Sequence, residues 1–228
     1  MSDLTLFFSP GACSKVPLIA LEQIGAPFET SLVTFANGGN RTPDYLQMNP
    51  GGKVPTLKVG DRAIIQNVAI LTYLAGAFPD AALLPKPTDD IEAAQLLGWL
   101  SWCSSDLHPL VTRFRIPNFA CDLPNAAPRV REIAVRAFSG QFAFVEQLLG
   151  HQPWVLGDIW SVVDAYLYWV WWRIVDAGFD TTPYPNLVKH AASMEQRPAV
   201  QRALRREAEA QAYLEEKGLA PNFAKLSR

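Results

Sequence analysis

The spacing of apolar residues changes several times in the first third of the chain and then settles into one repeat. Leu4 to Phe8 is a short apolar run of strand character, stopped by Ser9-Pro10-Gly11. From Cys13 the apolar positions Val16, Ile19, Ala20 and Ile24 fall at helical spacing, with Pro17 tolerated in the first turn and Gly25 as terminator. Phe28, Thr30 and Leu32 alternate with polar neighbours and predict a second strand. Thr42-Pro43 offers an N-cap followed by a first-turn proline, so a short helix is expected through Leu46. Pro55 to Val59 and Ala63 to Gln66 read as two strands across Gly60-Asp61, a hairpin signal. Asn67 is then expected to cap a helix carrying Val68, Ile70, Leu71 and Leu74. A βαβ unit followed by a hairpin and a helix makes an α/β sandwich.

Beyond this point the strand signal disappears. Pro79, Pro85 and Pro87 mark a linker, which gives residues 1–79 as one domain, 80–90 as the linker and 91–228 as an all-helical domain. Ile91 to Phe114 is mostly helical with a break expected at Pro109, and Pro117 to Pro128 reads as loop. Val130, Ile133, Ala134, Ala137 and Phe138, then Phe142, Val145, Leu148 and Leu149, trace one helix face. Ser161 to Ala177 is apolar on several faces, as a central buried helix should be. Pro185 to Gln196 and Ala199 to Leu214 predict two more helices, with a loose tail after Gly218.

Composition narrows the function classes. Of 228 residues 49% are hydrophobic and 18% charged, so the chain has core to bury, and disorder or a low-complexity array is excluded. A formal net charge of −2 removes the basic footprint of a nucleic-acid binder and offers nothing polybasic to an anionic membrane. The most apolar stretch, Tyr166 to Trp172, is far short of a membrane span. Cys13, Cys103 and Cys121 are an odd, scattered set without a CxxC pair, which argues against a disulfide framework and a zinc site, so no metal is expected. The N-terminus lacks the pattern of a signal peptide, and a cytoplasmic protein is the expectation.

Several residues carry candidate chemistry. Cys13 follows a strand and a Pro-Gly turn at the start of a helix, where amide N–H groups and the dipole favour an anion and predict a depressed thiol pKa. The alternative is an ordinary buried cysteine. Gln66-Asn67 leaves helix amides pointing outward, suited to a carboxylate, or is a simple cap. His108 beside Pro109 is either a proton-handling group or a polar residue at a helix end. Ser161 and Asp164 have the spacing of a capping box. Trp169, Trp171 and Trp172 point several ways on one helix and are expected mostly in the core, whereas Trp99, Trp102, Phe114 and Phe119 are candidates for an apolar wall near His108. His151 and His190 read as surface or packing residues. Arg202, Arg205 and Arg206, alternating with Glu207 and Glu209, read as a solvated face.

Taken together, Ser9-Pro-Gly-Ala-Cys-Ser14, Asn49-Pro-Gly-Gly-Lys-Val-Pro55 and Gln66-Asn-Val-Ala-Ile70 resemble the glutathione transferases at these mutual distances. The cysteine motif is most similar to the bacterial beta class, and Ser161-Val-Val-Asp164-Ala-Tyr resembles that family's buried capping motif. The resemblance covers nearly the whole chain. It implies a thioredoxin-like domain followed by an all-helical domain, with glutathione as co-substrate and a homodimer as the working unit. Cys13 would lie beside the glutathione sulfur, Val54 would pair with the tripeptide backbone ahead of a cis-Pro55, and Gln66 and Asn67 would hold the γ-glutamyl end. Ser105 and Asp106 would approach that end in the neighbouring subunit. His108 would reach the active site, and Trp102, His108, Phe114 and Phe119 would line a cleft for a small hydrophobic electrophile.

The implied activity is transfer of glutathione, as thiolate, to that electrophile in detoxification. Two alternatives stand beside it: Cys13-dependent thiol–disulfide exchange or lyase and dehalogenase chemistry, and a non-catalytic ligand-binding protein of the same fold. Three positions depart from the family pattern. Asn67 replaces a usual serine or glycine, Asn37 a lysine for which Arg41 or Lys53 would substitute, and Pro109 a lysine.

Overall fold

A computed structural model describes residues 4–220 of the protein. Residues 1–3 and 221–228, the latter most of the tail expected to be loose, lie outside the described residues. The described chain divides into two compact units, residues 4–85 with 195–220, and residues 86–194.

The first unit opens with β1 (Leu4–Phe8), whose alternation buries Leu4, Leu6 and Phe8. α1 (Lys15–Ile24) follows and ends at Gly25, whose left-handed φ of 73° lets its N–H return to the Leu21 carbonyl. β2 (Glu29–Leu32) runs parallel to β1. α2 (Pro43–Met48) begins as its sequence predicts, with the Thr42 hydroxyl accepting from the Tyr45 N–H at 3.4 Å and Pro43 in the first turn. β3 (Thr56–Val59) and β4 (Arg62–Ile65) form the hairpin, and α3 (Asn67–Ala77) follows it. The sheet order is β2-β1-β3-β4, with β3 antiparallel to β1, which is the thioredoxin-like arrangement.

The second unit is helical. α4 (Asp90–Ser101) is capped by Asp89, which accepts from the Glu92 N–H at 2.8 Å. A π-helical turn, Trp102–Leu107, connects it to α5 (His108–Arg115). The break expected at Pro109 therefore falls in the turn before the proline. Pro109 has no N–H to give the Ser105 carbonyl, and the His108 N–H reaches back five residues to Cys103. α6 (Ala127–Leu149) buries Ala134, Phe138, Phe142 and Val145, while Ile133 is exposed.

α7 (Val162–Val175) is the buried centre of this unit, and the Ser161/Asp164 capping box stands at its start. Asp164 accepts from Ser161 N–H at 2.9 Å, Ser161 Oγ at 3.0 Å and Val155 N–H at 2.8 Å. α8 (Pro185–Glu195) adds His190, whose Nε2 lies 3.0 Å from Asp164 Oδ1. His190 is thus a buried partner of the capping carboxylate and not a surface group. Trp169 and Trp171 are buried in α7.

The last helix, α9 (Pro198–Glu216), belongs to the first unit and packs along α1. Its charged face is not simply solvated. Glu22 of α1 is buried and holds Arg202 Nε at 2.7 Å and Arg206 Nε at 2.5 Å, and Glu207 is buried as well. Glu22 and Lys15 lie toward the opposite end of the chain, so nothing local signals these pairs. No helix among the described residues is long and apolar enough to cross a membrane.

Candidate functional site

The turn between β1 and α1 presents Cys13. Its frame is the Ser9–Ser14 pair, both buried: Ser9 N–H donates to Ser14 Oγ and the Ser14 hydroxyl donates to the Ser9 carbonyl, each at 3.2 Å. Ala12 N–H also returns to Ser9, at 3.1 Å. The amides of Lys15 and Val16, which the sequence reading leaves for an anion, donate instead to the carbonyls of Ala12 and Cys13 at 3.1 Å.

The expected depression of the Cys13 pKa is therefore reversed. Desolvation of the thiolate pushes the Cys13 pKa up to about 12. Its own backbone amide, the Asn67 side chain and the charge of Lys53 oppose this and do not balance it. The protonated thiol donates to the Val54 carbonyl at 3.4 Å.

Val54 is set by a dense polar and apolar frame. The Lys53 carbonyl accepts from Tyr45 Oη at 2.6 Å and Asn49 Nδ2 at 2.7 Å, and both groups also reach Thr56 Oγ1. The Val54 side chain packs with Val33 and Tyr45, against Phe7, Ala12 and Met48. The Val54–Pro55 bond is cis.

Gly52 completes the turn in the left-handed region, at φ 59°, with its carbonyl accepting from Asn40 Nδ2 at 2.8 Å. A Cβ there would meet the Asn40 carbonyl oxygen at 2.8 Å. Gly52→Ala is expected to lower stability by about 2 kcal/mol, from left-handed strain plus this clash, measured as a shift of the urea midpoint at unchanged slope. A shift below a quarter of that size contradicts the account.

Asn67 is not the N-cap of α3. Gln66 occupies that position at φ 75° and ψ 131°, a region that non-glycine residues seldom visit, and makes no side-chain cap bond. Asn67, as the first helical residue, turns its side chain to the cysteine turn. Nδ2 donates to the Cys13 carbonyl at 3.1 Å, which fixes the amide's orientation. Its Oδ1 is buried and has no hydrogen-bond partner. Asn37 is occupied locally, its oxygen accepting from Thr34 Oγ1 and from Gly39 N–H. Lys53 and Arg41 are exposed. The first unit thus brings together Cys13, Val54 and Asn67, with the charge of Lys53 felt at the thiol.

In the second unit the named residues have different neighbours. His108 Nδ1 lies 2.9 Å from Tyr166 Oη, and its ring meets Trp169 edge-on at 4.5 Å. Trp102 donates through Nε1 to Gln141 at 2.7 Å and meets Trp99, which stacks on Phe144. Phe114 is buried against Phe179 and beneath Arg131, at one side of a cavity of about 880 Å³. Phe119 is 70% exposed. The Ser105 hydroxyl donates to the Ser101 carbonyl at 2.6 Å, and Asp106 is exposed. Sequence reasoning missed Tyr166 and Tyr45, whose hydroxyls act at long range, and Lys15 and Glu207. All three cysteines are free thiols, and no group of three or more His, Cys, Asp and Glu side chains arranged for a metal ion occurs among the described residues.

Comparison with known proteins gives consistent relatives. Residues 2–76 match the glutathione S-transferase N-terminal domain, and residues 73–206 the C-terminal domain of the same family. The chain is 30% identical to glutathione S-transferase GstA of Escherichia coli O157:H7, over 88% of this chain and 97% of that one. Among solved structures, a sphingomonad glutathione S-transferase complexed with glutathione is 33% identical at a TM-score of 0.77, covering 90% of this chain and 98% of the other. The bacterial beta class glutathione S-transferase of Sphingomonas chungbukensis is 33% identical at a TM-score of 0.76, covering 89% and 98%.

Proposed function

The chain belongs to the glutathione S-transferase family, and from that premise we propose that it conjugates glutathione to a small apolar electrophile, with Cys13, Val54, Gln66 and Asn67 as the tripeptide's site. The observation that carries this reading is the buried Asn67 Oδ1 without a partner, beside the first turn of α3. An acceptor set among helix amide donors suits a zwitterionic end, in which an ammonium meets the oxygen and a carboxylate meets the amides. The γ-glutamyl group has that pair of charges. Lys53 and Arg41 are the exposed cations available for the glycyl carboxylate, because the Asn37 side chain is committed to its own loop.

Glutathione supplies the sulfur nucleophile when bound. The contribution of Cys13 is that of a neutral thiol donor. With its pKa raised, it keeps its proton at neutral pH and can turn that proton from the Val54 carbonyl toward an anionic sulfur. Lowering a thiol pKa by two units takes about 2.7 kcal/mol, within reach of two or three aligned donors. A reluctant Cys13 thiolate disfavours thiol–disulfide exchange, which needs that ion as its attacking group.

The electrophile's surroundings belong to the proposal: His108 beside Tyr166, and the aromatic surface of Trp102. The exposed apolar residues Ile91 and Leu97 of α4 support a homodimer, in which Ser105 and Asp106 would face the neighbouring copy. A cytoplasmic detoxifying role fits these properties.

The test combines retention on immobilised glutathione with turnover of an aryl halide. In that reaction a carbon–sulfur bond forms, halide leaves and the glutathione thiol proton passes to solvent. Retention and turnover are expected, and Cys13→Ser is expected to keep conjugation within about tenfold, because a hydroxyl also donates. The absence of both retention and turnover in the unaltered protein would overturn the reading.

A further inference from the structure

The β1–α1 turn is held from the far end of the chain. Glu207 of α9, 6% exposed, divides its carboxylate between two tasks: Oε1 accepts the Gly11 N–H at 3.0 Å, and Oε2 lies 3.0 Å from Nζ of the fully buried Lys15. Gly11 sits at φ 73°, two residues before Cys13, and Lys15 sits two residues after it. The carboxylate therefore grips both shoulders of the cysteine turn. Its own place is fixed by the neighbouring contact, in which Arg202 and Arg206 close on Glu22 and Arg202 also donates to the Glu22 carbonyl at 2.6 Å. The ion pair reaches only the Lys15 side chain, whereas the other oxygen reaches the turn's backbone. The second bond, a charge-assisted one to the backbone of a left-handed glycine, also satisfies that amide and fixes the direction in which the turn leaves β1.

We propose that Glu207 is a positioning residue for Cys13, so that α9 sets the thiol's place and exposure through the Gly11 amide. It acts on the cysteine without touching the reacting atoms. The proposal deepens the reading of Cys13 as sulfur donor. Its primary test uses no glutathione, so failure of that reading and failure of this one show up separately.

Removing the carboxylate alone takes a counter-charge from the buried Lys15 ammonium, so the pair is neutralised first. Lys15→Met/Glu207→Gln retains an amide oxygen able to accept from Gly11, whereas Lys15→Met/Glu207→Leu has no acceptor. Cys13 alkylation by iodoacetamide is read by mass spectrometry at its own peptide, apart from Cys103 and Cys121. The Leu variant is expected to alkylate about tenfold faster than the unaltered protein, the size of one lost buried hydrogen bond, while the Gln variant stays within about twofold. Where conjugation is measurable, KM for glutathione should rise in the Leu variant more than kcat falls. Equal alkylation rates in the two variants would overturn the proposal. Should the Leu variant fail to fold, amide exchange of the unaltered protein decides: a slowed Gly11 amide is expected, and exchange at the free-chain rate refutes the clamp.

Discussion

Replacing Asp164 by alanine is expected to remove about 3–5 kcal/mol of stability, the range for breaking a buried, hydrogen-bonded charge network. The carboxylate is fully buried and gathers the Ser161 and Val155 amides, the Ser161 hydroxyl and His190 Nε2. Alanine takes the acceptor from every one of these groups. Two of them lie at the N-terminus of α7, the buried helix of the second unit, so the loss falls in its core. Asp164→Asn is a milder change, since the amide oxygen still accepts while the NH2 faces donors, and roughly half the loss is expected. Urea titration followed by circular dichroism measures both. A change below about 1 kcal/mol for alanine would show that the network is replaceable.

At pH 8 the Cys13 thiol is expected to alkylate roughly a thousandfold more slowly than an ordinary cysteine. A group whose pKa stands at about 12 is ionised in about one molecule in ten thousand at that pH, against about one in ten at the usual 9.0. The rate should climb tenfold per pH unit to beyond pH 10 without levelling. The sign of the linked stability effect follows. The folded state holds the proton more tightly than the unfolded chain, so this contribution is fully present below pH 9 and is lost as pH rises toward 12. Cys13→Ser should flatten that part of the alkaline stability curve. A plateau in the alkylation rate between pH 6 and 8 would mean an activated thiolate, and the role of Cys13 as neutral donor would fall with it.

The same cysteine shows where the sequence stops being legible. Its place between a strand, a Pro-Gly turn and a helix is readable, because turn residues and apolar period are local properties. Its acidity is not, because that depends on which amides are already taken and on how much water the folded chain removes. Asn67 is a similar case: the helix start is evident, but the left-handed Gln66 that shifts the cap by one residue is imposed by the surrounding structure. By contrast, Ser161 and Asp164 declare themselves by spacing alone, since both ends of the capping box lie within one turn. The face of α9 misleads for the opposite reason. Arginines and glutamates at helical intervals normally meet solvent, and only the fold brings Glu22 and Lys15 against them.

That return of α9 has a consequence for how the protein is made. Glu22 and the Gly11 turn acquire their partners from residues placed 180 to 196 positions later. On the ribosome, the sheet-bearing segment emerges before α9, and two of its interior charges wait for these counterparts until that helix is made. The nascent sheet segment must therefore keep these side chains hydrated, and its locking step comes only once α9 has emerged.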